Sequence, residues 1–197
     1  MSLFHVTIPE LVQTLGYVGL FLVVFAESGL FFGFFLPGDS LLFSAGILAA
    51  GGYFSVFELA LLLSLGAIIG DSVGFWFGKK VGPKIFSRED SFFFHKKHIE
   101  RTKKFYEEYG NRTIIVARFV PIVRTFAPIL AGVGDMKYEK FITYNVIGGL
   151  LWSFVLVYGG YLLGSTIPNA GNYITLIALF IILVSLIPIL KEFLGKK

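Results

Sequence analysis

Apolar residues run along this chain in five long stretches, and the polar residues that interrupt them are few. Leu11–Phe35 continues almost to Pro37 with Glu27 as its single charged residue. Leu41–Gly78 holds enough apolar residues for a short segment followed by a full span, with Gly51 and Gly52 as the bend between them. Thr113–Val133 is hydrophobic but broken by Arg118, Pro121, Arg124 and Pro128. Phe141–Leu163 and Tyr173–Leu190 are cleaner, separated by the turn-forming run Ile167-Pro168-Asn169-Ala170-Gly171. A membrane-spanning helix takes about 20 apolar residues. Phe54–Gly78 and the last two stretches are therefore long enough to span.

The positive charges orient these segments, because cytoplasmic loops carry an excess of Lys and Arg. The stretch 79–112 holds ten Lys/Arg against five Asp/Glu, and Lys137, Lys140, Lys191, Lys196 and Lys197 add further basic sites. All of these are expected on the cytoplasmic side, as are both termini. Thr113–Val133 then begins and ends on one side, so it is expected to re-enter as helix, break and helix. By the same reasoning Leu11–Ala26 rises from the cytoplasm, Phe54–Gly78 descends to it, and Glu27–Ala50 enters and leaves from the outer side. The expected fold is all-α: a polytopic membrane protein with two oppositely oriented re-entrant segments and about four spanning helices. Inverted repeats with broken helices meeting near the midplane are the usual build of secondary transporters. Residues 1–197 read as a single membrane domain, with 79–112 as a basic cytoplasmic loop.

Composition strengthens the membrane reading. Of 197 residues, 55% are hydrophobic and 15% charged, and Phe and Gly number 23 each. A soluble domain is about 45–50% apolar and about 25% charged. The absence of cysteine excludes disulfides, thiolate metal sites and a Cys nucleophile. Met1–Glu10 lacks a basic n-region and a small-residue cleavage site, so the first apolar segment is expected to remain in the mature protein.

Three motifs carry candidate chemistry. In the first, Glu27-Ser28-Gly29 leads to Leu36-Pro37-Gly38-Asp39-Ser40. Pro37 fixes φ, Gly38 can take a positive φ, and Asp39 can cap the helix that follows. That accounts for a structural turn at Pro37 and Gly38, but not for Glu27 in the middle of an apolar run. An ionisable group at membrane depth costs about 2.5–3.5 kcal/mol on insertion scales, so it has a partner or lines a wet cavity. In the second, Arg118-Phe119-Val120-Pro121 and Arg124-Thr125-Phe126-Ala127-Pro128 set two permanent charges and two prolines into one apolar segment. Each proline removes a backbone donor and is expected to interrupt the helix. The guanidinium fork fits a phosphate or a carboxylate. The plain alternative is that Arg118 and Arg124 neutralise Glu27 and Asp39, which is compatible with a functional role. In the third, Gly66, Gly70, Gly74 and Gly78 recur every four residues and give one helix a smooth face for close packing, within a protomer or between two. Asp71 lies beside that stripe, free to bind a proton, cap a neighbouring helix or pair with an arginine.

Phe92–Tyr109 mixes aromatic and basic residues, as a basic amphipathic helix on an anionic leaflet does; a solvated connecting helix would read much the same. His95 and His98 have no neighbouring ligands, so no metal site is expected, and no cofactor or nucleic-acid motif appears. P-loop, H-E-x-x-H and G-x-S-x-G patterns are absent. The chain is expected not to be an enzyme. Two other readings remain: an enzyme acting on lipid phosphates with Asp39 or Asp71 as base or nucleophile, and a scaffold whose glycine face and basic loop recruit partners.

Taken together, Glu27 with Pro37-Gly38-Asp39, Gly70-Asp71 with Gly78-Lys79, and Arg118-Phe119-Val120-Pro121-x-x-Arg124 with Ala131-Gly132 resemble the DedA family of VTT (SNARE-associated) domain proteins. The likeness covers about residues 10–165. Where the family often has Glu after Pro-Gly, this chain has Asp39, which keeps the charge and shortens the reach. The resemblance implies lipid translocation: a flippase or scramblase for phospholipids or undecaprenyl phosphate, in some members linked to protons. The family's acidic and arginine pairs map onto Glu27, Asp39, Arg118 and Arg124. On that basis Arg118 and Arg124 are expected to hold a phosphate headgroup, with Glu27, Asp39 and Asp71 as proton-coupling groups.

Overall fold

A computed structural model describes residues 8–30, 38–86 and 112–167. All regular structure among these residues is helical: α1 (Ile8–Gly29), α2 (Gly38–Ala50), α3 (Val56–Phe86), α4 (Thr113–Ala117), α5 (Pro121–Val133) and α6 (Tyr138–Thr166). Pro37, the basic stretch 87–111 with its two histidines, and the last apolar stretch Tyr173–Leu190 lie outside the described residues.

Three helices are long and apolar enough to cross a membrane, over Glu10–Gly29, Val56–Val81 and Tyr138–Thr166. The side chains of α3 show which solvent it is built for. Leu61, Leu65, Ile69 and Val73 are exposed at every fourth position, while Leu63, Ala67, Asp71 and Phe75 are buried. A water-soluble helix buries its apolar stripe. Here the apolar stripe faces outward and the carboxylate inward, which suits lipid outside and protein inside.

Two compact units can be distinguished, each drawn from separated stretches of the chain. One comprises Met1–Val23, Pro37–Leu63 and Ser153–Lys197. Within it α2 packs against the second half of α6, backbone to backbone. A Cβ added at Gly160 would collide with the Phe43 carbonyl, and one at Gly46 with the Val157 carbonyl. Ser153 donates to the Ala60 carbonyl at 2.9 Å, and the Ser55 N–H donates to the Tyr17 hydroxyl at 2.8 Å. The bend expected at Gly51-Gly52 is present, with Gly52 at φ 83°, where a side chain would be strained.

The second unit comprises Val24–Leu36 and Ser64–Trp152. Here α5 packs on α3 in the same manner. A Cβ at Gly78 would strike the Ile129 carbonyl, and one at Gly132 the Phe75 carbonyl. Phe75, Ile114, Ala131 and Phe141 form its apolar core, with Phe75 and Phe141 stacked at 4.5 Å between centroids. That core fastens α4, α5 and α6 to α3.

Three expectations from the sequence need correction. First, α1 continues through Glu27 to Gly29, so Glu27 closes a spanning helix and does not open the outer re-entrant segment. Nothing in Val23–Ser28 breaks a helix, and the charge at Glu27 is met by an arginine rather than by a turn. Second, α3 runs on to Phe86, so the connecting stretch begins several residues after Lys79. Third, the two prolines of the arginine segment differ. Pro121 occupies the first turn of α5, where its missing N–H costs nothing. Pro128 sits inside α5 and leaves the helix continuous. It cannot donate to the Arg124 carbonyl one turn earlier.

Candidate functional site

The charged residues of the second unit are brought together by two close helix contacts and one break. Gly29 of α1 and Gly70 of α3 face one another. A Cβ at Gly70 would stand 2.6 Å from the Phe25 carbonyl oxygen, and one at Gly29 would stand 2.9 Å from the Gly70 carbonyl oxygen. Only glycine permits backbones to approach this closely. Glu27 and Asp71 lie within two residues of these glycines, so the crossing carries two carboxylates into the interior, 2% and 3% exposed.

The arginines come from the break between α4 and α5. After Ala117 the chain tightens into i→i+3 bonds, with the Phe119 N–H donating to the Val116 carbonyl at 3.1 Å and Val120 to Ala117 at 3.0 Å. Val120 is then extended at φ −115°, ψ 107°, as a residue before proline is pushed to be, and α5 starts afresh at Pro121. The break turns Arg118 inward. Its guanidinium donates to the Asp71 carboxylate and to the Asn145 side-chain carbonyl. Asn145 in turn donates to the Ile68 carbonyl at 3.0 Å. Arg118 lies against α6 where that helix has two glycines: a Cβ at Gly148 would be 3.0 Å from its Cδ. Its Nε is buried with no hydrogen-bond partner.

Arg124, in the first turn of α5 beyond the break, pairs with Glu27 and lies over the Trp152 ring, its Cζ 4.9 Å from the ring centroid. A desolvated cation on a tryptophan face is worth about 2 kcal/mol. Thr125 beside it is buried, and its hydroxyl has no hydrogen-bond partner. The cluster therefore holds two arginines and two carboxylates, formally neutral, in helices whose outer faces are apolar.

Of the residues singled out in the sequence, Glu27, Asp71, Arg118 and Arg124 meet in this one site. The carboxylate on Arg118 is Asp71, where Asp39 or Glu27 had been expected. Asp39 lies in the first turn of α2, in the other unit. Two participants, Asn145 and Trp152, were not singled out in the sequence. Asn145 and Trp152 look like ordinary members of an apolar span, and a polar Asn at spanning depth was the one available hint for the former. Among the described residues, no group of three His, Asp or Glu is placed to hold a metal ion.

The fold and the site define an α-helical membrane protein with a neutralised charge cluster inside one of its compact units. Residues 36–162 match the VTT domain. The chain is 45% identical to Protein DedA of Escherichia coli K12 over 98% of its own length and 90% of that protein's. It is 42% identical to an uncharacterised membrane protein of Mycobacterium tuberculosis H37Rv over 87% of the chain and 76% of the relative. It is 32% identical to the inner membrane protein YqjA of E. coli K12 over 80% and 71%. No solved structure matches. The chain belongs to the DedA family of VTT-domain membrane proteins.

Proposed function

We propose that this protein moves a phosphate-bearing lipid, a phospholipid or undecaprenyl phosphate, between the leaflets of the cytoplasmic membrane, and that the headgroup passes through the charge cluster. The observation that carries this reading is one buried and one largely buried arginine beside two buried carboxylates in a helical unit with apolar outer faces. Ionisable groups so placed are costly and mark substrate or proton paths. A guanidinium that exchanges its carboxylate for a lipid phosphate keeps an anionic partner throughout. Because the cluster is formally neutral, an entering monoanion leaves it one charge short. One proton taken by Glu27 or Asp71 restores the balance, which is the simplest coupling of transport to protons. Asp39, near the start of α2, is the third acid assigned to that proton route.

The two short helices support the re-entrant topology. At 13 residues each, α2 and α5 are about 20 Å long against a hydrocarbon core of about 30 Å. Each unit seats one such helix on a long one through paired glycines, as an inverted repeat would. Both termini and the connecting stretch after α3 belong on the cytoplasmic side in this topology.

Proteoliposomes carrying a fluorescent phosphatidate in one leaflet test the proposal. Transbilayer movement should be fast with the parent protein and fall to that of empty liposomes with Arg124→Ala. Unchanged movement with Arg124→Ala would sink it, and release of free phosphate would favour lipid-phosphate hydrolysis instead.

A further inference from the structure

The two arginines occupy unlike settings. Arg118 is 5% exposed and is gripped from two helices, by Asp71 on α3 and Asn145 on α6. Asn145 is itself tied to the Ile68 carbonyl, so the acceptor cannot follow a moving guanidinium. Gly148 and Gly149 leave room for the Arg118 side chain and no more, since an added Cβ at Gly148 would lie 3.2 Å from its Nε. Displacing Arg118 would strand Asp71 and unfasten the α4–α5 break at the same time. Arg124 stands on α5 beyond the break, pairs with Glu27 at the end of α1, and lies over the Trp152 ring, its Cζ 4.9 Å from the centroid. An aromatic face holds a cation without fixing its in-plane partner. A guanidinium on such a platform can turn from one anion to another while keeping its contact with the ring.

Resting on the transport reading above, we propose a division of labour: Arg118 is a fixed strut, and Arg124, sliding on the Trp152 ring, is the arginine that leaves Glu27 for the lipid phosphate. Trp152 is then a positioning residue of the binding site, and Asn145 a positioning residue of the strut. The ligand is an anionic phosphate monoester or diester on a lipid, delivered with its tails in the hydrocarbon region.

The chain has two tryptophans, so Trp76→Phe leaves Trp152 as the sole emitter. This single-tryptophan protein, purified in detergent, is titrated with short-chain phosphatidic acid, with the matching diacylglycerol and with inorganic phosphate, while lipid binding is followed in parallel by equilibrium dialysis. The expected result is a shift of Trp152 emission with phosphatidic acid alone. Arg124→Lys should weaken binding about tenfold or more and flatten the emission change, because the planar fork is lost. Arg118→Lys should lower the thermal midpoint more than Arg124→Lys does, and should weaken binding less than Arg124→Lys does. Trp152→Phe in the otherwise unsubstituted protein should bind more tightly than Trp152→Leu, since a ring is retained.

Bound phosphatidic acid with no change in Trp152 emission would overturn this division while leaving the transport reading intact. So would loss of binding in a stably folded Arg118→Lys with Arg124→Lys unaffected. An equal response to inorganic phosphate would overturn the lipid as ligand. No binding of phosphatidic acid to the parent protein would remove the transport reading, and this inference with it.

Discussion

Replacing Asp71 isolates what the buried pair with Arg118 contributes. The carboxylate is 3% exposed and the arginine 5%, so neither can turn to water when the other is removed. Asp71→Leu leaves a buried guanidinium with the Asn145 carbonyl as its remaining polar contact of the two. Breaking a buried pair from one side costs about 3–5 kcal/mol, and inserting an uncompensated arginine at membrane depth about 2.5–3.5 kcal/mol. The two scales agree on a cost near ~3 kcal/mol or a little above. Asp71→Asn keeps a carbonyl acceptor and loses only the charge, so its cost should fall nearer ~1–2 kcal/mol. For a chain of this size each kcal/mol moves the melting temperature by about 2–4 °C. Asp71→Leu should therefore melt roughly 6–14 °C below the parent and Asp71→Asn in between. Thermal unfolding in detergent, followed by tryptophan fluorescence, reads both. The double variant Asp71→Leu with Arg118→Met removes both charges and should recover most of the loss, because a buried pair replaced by apolar groups is close to neutral. A single variant within about 2 °C of the parent would refute the reasoning. A double variant no better than the single would refute it as well.

Two further outcomes follow from the backbone. Gly78→Ala drives a Cβ into the Ile129 carbonyl and should destabilise by about 1–3 kcal/mol. Gly74→Ala, one turn earlier, meets side chains at 3.5 and 3.7 Å and the Gly29 carbonyl oxygen at 3.8 Å, all ordinary contacts, and should be neutral or stabilising, given a helix-propensity gain of about 1 kcal/mol; equal melting temperatures would show that the stripe packs differently. Asp135, between α5 and α6, holds φ 57° and an exposed bridge to Lys79 at 3.5 Å. Asp135→Gly should leave stability unchanged or raise it slightly, since an exposed pair is worth about 0–1 kcal/mol, whereas Asp135→Val should lose about 1–2 kcal/mol, both read by the same melts.

The parts of the fold that could be read from the sequence are those set by local chemistry. Gly51-Gly52 announced its bend, and the Val120-Pro121 step announced the break, because φ restrictions act over one or two residues. The α3 glycines announced a packing face by their spacing alone. What could not be read was where an apolar helix stops. Glu27 looked like the start of a new segment because a charge in an apolar run is costly in isolation. In the folded chain Arg124 offsets that cost from 97 positions away, and with the charge met the helix has no reason to end before Gly29. Pro128 misled for the converse reason. One lost backbone bond can be tolerated when α3 packs closely on the helix from Pro128 to Gly132.

The same argument explains why the members of the site were legible and their pairing was not. A buried charge reveals itself by its composition, so Glu27, Asp71, Arg118 and Arg124 each stood out from a sequence of Leu, Phe and Gly. Which acid meets which arginine depends on the depth and face at which each helix presents it, and here glycines set both. Gly29 and Gly70 bring the end of α1 onto α3 beside Asp71, and Gly148 and Gly149 make the trough in α6 that receives Arg118. These glycines carry no charge and read as ordinary membrane-helix residues. Asn145 and Trp152 are silent for a related reason: their roles come entirely from the arginines laid against them. A spanning-segment Asn or Trp three residues from a Gly-Gly pair, in a chain that also has a proline-broken arginine segment, is therefore the pattern to test for an arginine seat. Asn145 stands three residues before Gly148 and Trp152 three after Gly149, which places the residue that holds the strut and the platform for Arg124 two turns apart on one helix face.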